Sequence, residues 1–268
     1  MTGRGLKTTE GEVESMGLPR PFELVVQHGT ERERLGGTAI CGFTTKGAVG
    51  AIAVDWVIKT FEMEQLGSVL SESFPAMALV RGRRPQHPVR IYQGDGIGAF
   101  VSDIAFPDEF NLSFAETVIK WFRDGGFDRL VMIDGVFLPN MTGEDIPPVF
   151  GVGSTDASRT RLEEIGLESV EHGIVPGITG YLLAEADRQG FDAYAILSPS
   201  NPGYPDARAA LPALEALSEM LDRDIPLEGL MEKAIVIEQK VREMMQEHQL
   251  ALPEPKMSES SDDDPMVL

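Results

Sequence analysis

A chain of 268 residues with 42% hydrophobic residues and a mean hydropathy of -0.08 can bury a sizeable core, which excludes a disordered or fibrous class. The net charge of -20 argues against nucleic acid, whose phosphates such a surface repels. The single cysteine, Cys41, rules out an intramolecular disulfide and fits a reducing cytoplasm, where a buried thiol acts as a small hydrophobe.

The first segment, residues 1–20, mixes Gly, Thr, Glu and Lys without the apolar stretch of a secretory signal, and is expected to be flexible. No window reaches the ~18 uninterrupted apolar residues of a membrane span, so neither membrane nor export is expected. Phe22–Val26 and Thr38–Phe43 read as strands on either side of a turn-like His28–Gly37. From Gly47 the spacing turns helical: Val49, Ile52, Ala53, Trp56, Val57 and Thr60 share one face of a helix ending near Glu62. Gln65–Ser71, Ala76–Arg81, Val89–Gln93 and Gly98–Asp103 are short β-prone runs broken by Pro, Gly and Asp. The cluster Arg81, Arg83 and Arg84 falls between two of these runs and reads as a solvated loop.

A second helix is expected over Ser113–Arg123, stopped by Gly125-Gly126, followed by a central strand over Arg129–Phe137. Val149–Gly153 reads as extended, Asp156–Ile165 and Ile178–Gln189 as helices, and Phe191–Ser198 as a strand. A helix from Pro205 onward is expected to be entered through Pro212. The last element, Leu227–Leu250, carries a long apolar stripe that includes Met244 and Met245. Together these predict an α/β protein: a three-layer α/β/α sandwich on a mixed sheet, one folded body over 21–251 with a long C-terminal helix. After Leu252 the Pro, Ser and Asp residues cannot build a core, so residues 252–268 are expected to form a disordered acidic tail.

The glycine turn Gly42-Phe43-Thr44-Thr45-Lys46-Gly47-Ala48-Val49-Gly50 joins a strand to a helix N-terminus, where an anion can be cradled. It matches neither the dinucleotide fingerprint nor the P-loop, and its glycines serve equally well for tight helix-to-strand packing. Asp134, at the end of the central strand, is the carboxylate to join Gly42, Lys46, Gly47 and Gly50 in any ligand site, with Asp55 and Asp156 as further carboxylates that can converge on it. The four histidines are far apart, so no metal site is expected, and Ser154 lies in no nucleophile elbow. No cofactor and no catalytic residue is assigned.

Five segments resemble the PAC2-type proteasome assembly chaperones and their archaeal homologues. They are Gly42-Phe43 with Gly47-Ala48-Val49-Gly50, Glu72-Ser73-Phe74-Pro75, Ile133-Asp134-Gly135, Pro176-Gly177-Ile178-Thr179-Gly180, and Gly203-Tyr204-Pro205-Asp206 with Ala209-Ala210. The resemblance covers Phe22 to Ala234. It implies a phosphorylase-like fold, no catalysis, a homo-oligomer, and binding to proteasome α subunits. In some archaeal members a tail ending in a hydrophobic residue, Tyr and any residue docks between α subunits. Here the chain ends Met266-Val267-Leu268, with valine where the tyrosine stands. Met244, Met245 and Met266 to Leu268 are thus the candidate partner contacts. The alternative is a small-ligand-binding protein or an enzyme that uses the Gly47–Gly50 turn and Asp134 for an anionic or nucleoside-like ligand.

Overall fold

The computed structural model describes residues 22–26, 36–138, 148–201, 203–230 and 232. Most of Leu227–Leu250, the expected long C-terminal helix with Met244 and Met245, the expected tail with Met266, Val267 and Leu268, and the expected flexible segment 1–20 lie outside the described residues.

Among the described residues nine strands form one mixed sheet. In chain order the elements are β1 (Glu23–Val26), β2 (Thr38–Gly42), α1 (Val49–Thr60) and β3 (Glu64–Leu70), then β4 (Leu79–Arg81) and β5 (Arg84–Gln86). Next come β6 (Val89–Gly94), β7 (Ile97–Ser102), α2 (Asn111–Gly125), β8 (Arg129–Val136), β9 (Phe150–Gly153) and α3 (Asp156–Glu164). β10 (Glu168–Ser169), α4 (Gly177–Gln189), β11 (Ala193–Pro199) and α5 (Ala207–Leu221) complete the series. The sheet order is β1-β3-β6-β7-β2-β8-β11-β9-β10, with β4 and β5 paired apart from it. Its middle, β7-β2-β8-β11, is parallel, and β6, β3, β1 and β9 add antiparallel neighbours.

The continuous apolar runs of β2, β8 and β11 reflect burial on both faces, as parallel strands between helices require. Ile40, Val131, Ile133 and Ile196 face α1 and α5; Ala39, Cys41, Leu130, Met132 and Ala195 face α2 and α4. The expected three-layer α/β/α sandwich on a mixed sheet is therefore the fold.

Three local expectations are corrected. Pro212 does not open α5: the helix starts at Ala207, where the Asp206 side chain accepts from the Ala209 N–H, and Pro212 sits inside it. A cap residue outranks a proline as the start signal because it satisfies an otherwise orphaned donor. Ala76–Arg81 is not a strand of the main sheet; only Leu79–Arg81 is extended, and it pairs with Arg84–Gln86. The basic cluster is consequently a hairpin rather than a loop, turning at Gly82 and Arg83, both at positive φ. The short edge strand β10 carries no apolar signal, both residues being exposed, and went unpredicted.

Candidate functional site

From β2 the chain runs to β3, β6 and β7 on one side; from β8 it runs to β9, β10 and β11 on the other. The carboxyl ends of these adjacent parallel strands thus mark the point where the winding reverses, the usual place for a functional crevice in such sheets.

Asp134 stands there, near the end of β8. Its Oδ1 accepts from the Thr45 hydroxyl and from the Gly135 N–H at 2.8 Å, and its Oδ2 accepts from the Thr179 hydroxyl at 2.6 Å. Burial pushes the carboxyl above the ordinary aspartate range, against the pull of the hydrogen bonds from Thr179, Thr45 and Gly135. One side chain therefore ties together the turn after β2, the end of β8 and the first turn of α4. The two hydroxyls lie 89 and 45 residues from Asp134 in sequence, a separation no local pattern can bridge.

The glycine turn is built for close approach. A Cβ on Gly50 would overlap the Ile133 carbonyl oxygen, and one on Gly42 would overlap the Gly50 carbonyl. Gly47 has φ 61 and lies against Ser200 and Asn201. Its carbonyl accepts from the Asp206 N–H at 2.7 Å, while the Ser200 hydroxyl donates to the Lys46 carbonyl at 3.3 Å. The Lys46 side chain is exposed, and Asp206 also accepts from the Asn201 N–H at 2.9 Å. Packing thus accounts for Gly42, Gly47 and Gly50.

Asp55 and Asp156 do not join Asp134. Asp55 pairs with Lys59 and Arg81, and Asp156 pairs with Arg159 at 2.6 Å. The reason is local: each has a cation within reach on its own helix or on the hairpin beside it. Ser154 is equally committed, donating to the Phe191 carbonyl and accepting from the Ala193 N–H, both at 2.9 Å. Cys41 is fully buried and its thiol is pushed up by desolvation, which keeps it un-ionised. Among the described residues no three His, Cys, Asp or Glu side chains gather as metal ligands would. No helix among them is long and apolar enough to cross a membrane.

The motif segments that are scattered in sequence gather along this one edge. Gly42–Gly50, Ile133–Gly135, Thr179 and Asp206 interlock as described, and Phe74, just beyond β3, packs on Phe106, just beyond β7, at 5.5 Å between ring centroids. The PAC2 family model matches residues 39–245. The chain belongs to the PAC2 family.

The structure of Pyrococcus furiosus PbaA, "an archaeal homolog of proteasome-assembly chaperone", superposes with a TM-score of 0.75 at 28% identity, covering 86% of this chain and 99% of that one. P. furiosus PbaB, "an archaeal proteasome activator", shares the fold with a TM-score of 0.68 at 21% identity, covering 84% of this chain and 99% of that one. An uncharacterized protein of Methanocaldococcus jannaschii is 28% identical over 207 residues, which is 77% of this chain and 84% of the relative.

Proposed function

We propose that this PAC2-family chain is a non-catalytic proteasome assembly chaperone or adaptor that binds proteasome α subunits. The observation that carries the reading is the near-complete superposition on PbaA at 28% identity, together with the family match over 39–245. The buried arrangement around Asp134 supports it, because every polar group named there is spent on holding segments together. Met266 to Leu268, with Met244 and Met245, are the proposed contacts, an apolar anchor set whose methionines adapt to varied surfaces. The reading includes a cytoplasmic homo-oligomer.

Light scattering after size exclusion, on the protein alone and mixed with α subunits of the same organism, tests it. A stable mixed complex supports the reading; its absence at micromolar concentrations overturns it. Deleting Met266–Leu268 should then weaken the complex, and an unchanged complex removes the tail from the interface.

A second reading is favoured by one observation, the position of Asp134 where the winding reverses. A small anionic or nucleoside-like ligand bound there, beside Gly47–Gly50, would raise the melting temperature in a screen with nucleotides and phosphate.

A further inference from the structure

The β4–β5 hairpin stands outside the main sheet and differs in charge from the rest of the chain. From Ser73 to Gly94 there are four arginines and no carboxylate, in a protein of net charge -20. Its turn end is tied down: Arg81, the last residue before the turn, pairs with Asp55 on α1 and with Asp103 just after β7. Asp103 is held in turn by Arg90, a fully buried side chain whose Nη2 lies 2.6 Å from Asp103 Oδ2. Arg90 also donates through Nε to the Tyr92 hydroxyl and through Nη1 to the His87 carbonyl, both at 2.9 Å.

Other side chains of the hairpin and of the residues leading into it are open to solvent: Val80 is 71% exposed and Met77 47% exposed, and Arg83 and Arg84 are exposed as well. An exposed hairpin that carries both apolar and cationic side chains matches an acidic segment with apolar anchors.

The chain supplies such a segment. Between Leu252 and Leu268 it carries Glu254, Glu259, Asp262, Asp263 and Asp264 against a single Lys256, followed by Met266, Val267 and Leu268. The last described residues pass beside α1. The Trp56 indole N–H donates to the Pro226 carbonyl at 2.9 Å, and Gly229 lies against the same ring. Trp56 adjoins Asp55, the partner of Arg81 on the arm. From Gly229 to Glu254 there are 25 residues, a span of roughly 37 Å at about 1.5 Å each even if wholly helical. Elsewhere the acidic body repels this segment.

We propose that the β4–β5 arm is the docking site of the chain's own acidic C-terminal segment, Glu254–Leu268, through Arg83 and Arg84 for its carboxylates and Val80 and Met77 for its apolar end. The latch holds whatever partner the protein serves, since it rests on this chain's charges alone. It occupies the segment in the free protein and leaves the arm bare when a partner takes the segment away.

The full chain carrying Ala78→Cys and Ser260→Cys, spin-labelled at both sites, tests this directly, because the buried Cys41 thiol is shielded from the label. Electron-electron distance measurement at low salt should give a short, narrow distance. That population should fall several-fold at ~1 M salt, where the Debye length is about 3 Å, and in the double variant Arg83→Glu, Arg84→Glu. Arg188→Glu, a charge reversal on α4, should leave it unchanged. An excess of unlabelled chain should also leave it unchanged, since both labels sit on one molecule. A broad distribution indifferent to salt and to charge reversal overturns the proposal. So does a short distance that disappears on dilution with unlabelled chain, which would put the segment on a neighbouring copy.

Discussion

The two faces of the sheet are packed by opposite means. Against α1 and α5 the interior is made of small and aliphatic groups: Ala51, Ala53, Ala209, Ala210, Ala213 and Ala216 beside Val, Ile and Leu. Against α2 and α4 it is made of rings: Phe22, Phe43, Phe100, Phe114, Trp121, Phe122 and Phe127. On the first face a Cβ added at Gly42 or Gly50 would meet backbone, whereas on the second one added at Gly98 or Gly125 would meet the Phe127 ring. Added atoms should therefore be felt against backbone on the first face, and atoms removed from the rings should leave cavities on the second.

The largest loss is expected on the aromatic face. Phe114 is fully buried and lies within 6 Å of the rings of Phe22, Phe43, Phe100 and Phe106, with centroids 5.2, 5.7, 5.5 and 4.2 Å away. Phe114→Ala leaves a cavity among them and should cost about 3–5 kcal/mol in urea unfolding. Gly50→Ala should cost about 3 kcal/mol, the upper end of ordinary overpacking, because the atom it meets is the backbone carbonyl of Ile133 on the central strand. If Gly50→Ala proved as harmless as a surface change, the close approach of α1 to β8 would not govern this face.

The strand runs and helices around these faces were readable because a buried strand needs consecutive apolar residues and an amphipathic helix needs its stripe. Thr38–Phe43 and Arg129–Phe137 match the observed strands to within a residue or two for that reason. The arm departs from its pattern because Ala76-Met77-Ala78 is β-prone yet has no strand to pair with, so propensity has nothing to act on. The motif around Asp134 was legible only as fragments. Its glycines announce tight turns, but which carbonyl they approach, and which hydroxyls reach the carboxylate, depends on contacts between segments distant in sequence.

The crevice lies where the two packing regimes meet, since Thr45 follows β2 on the way to α1 and Thr179 opens α4. Thr179 is fully buried, and Thr179→Val keeps its shape while removing one donor from a buried carboxylate. The expected cost is about 1–3 kcal/mol, the range for leaving a buried polar group short of a partner. A value near zero would mean that the hydroxyl contributes packing alone.

Asp134→Asn should disturb the protein least, and its effect should depend on pH in a defined sense. The amide oxygen can accept from Thr45 and Gly135, while its NH2 faces the Thr179 oxygen, which is free to accept. Burial raises the carboxyl of Asp134 above its unfolded value, so the folded protein retains a proton that the unfolded chain has released. The contribution of this group to stability is thus fully present below the unfolded value of about 3.9 and is lost as pH rises through the folded value. The neutral amide undergoes no such loss. Stability of the variant relative to the parent, followed by urea unfolding across a pH series, should be level under acid, rise as Asp134 ionises, and level off above its folded value. A difference that stays flat would mean Asp134 titrates alike folded and unfolded. One that falls with rising pH would mean the three donors outweigh burial and hold the carboxylate charged.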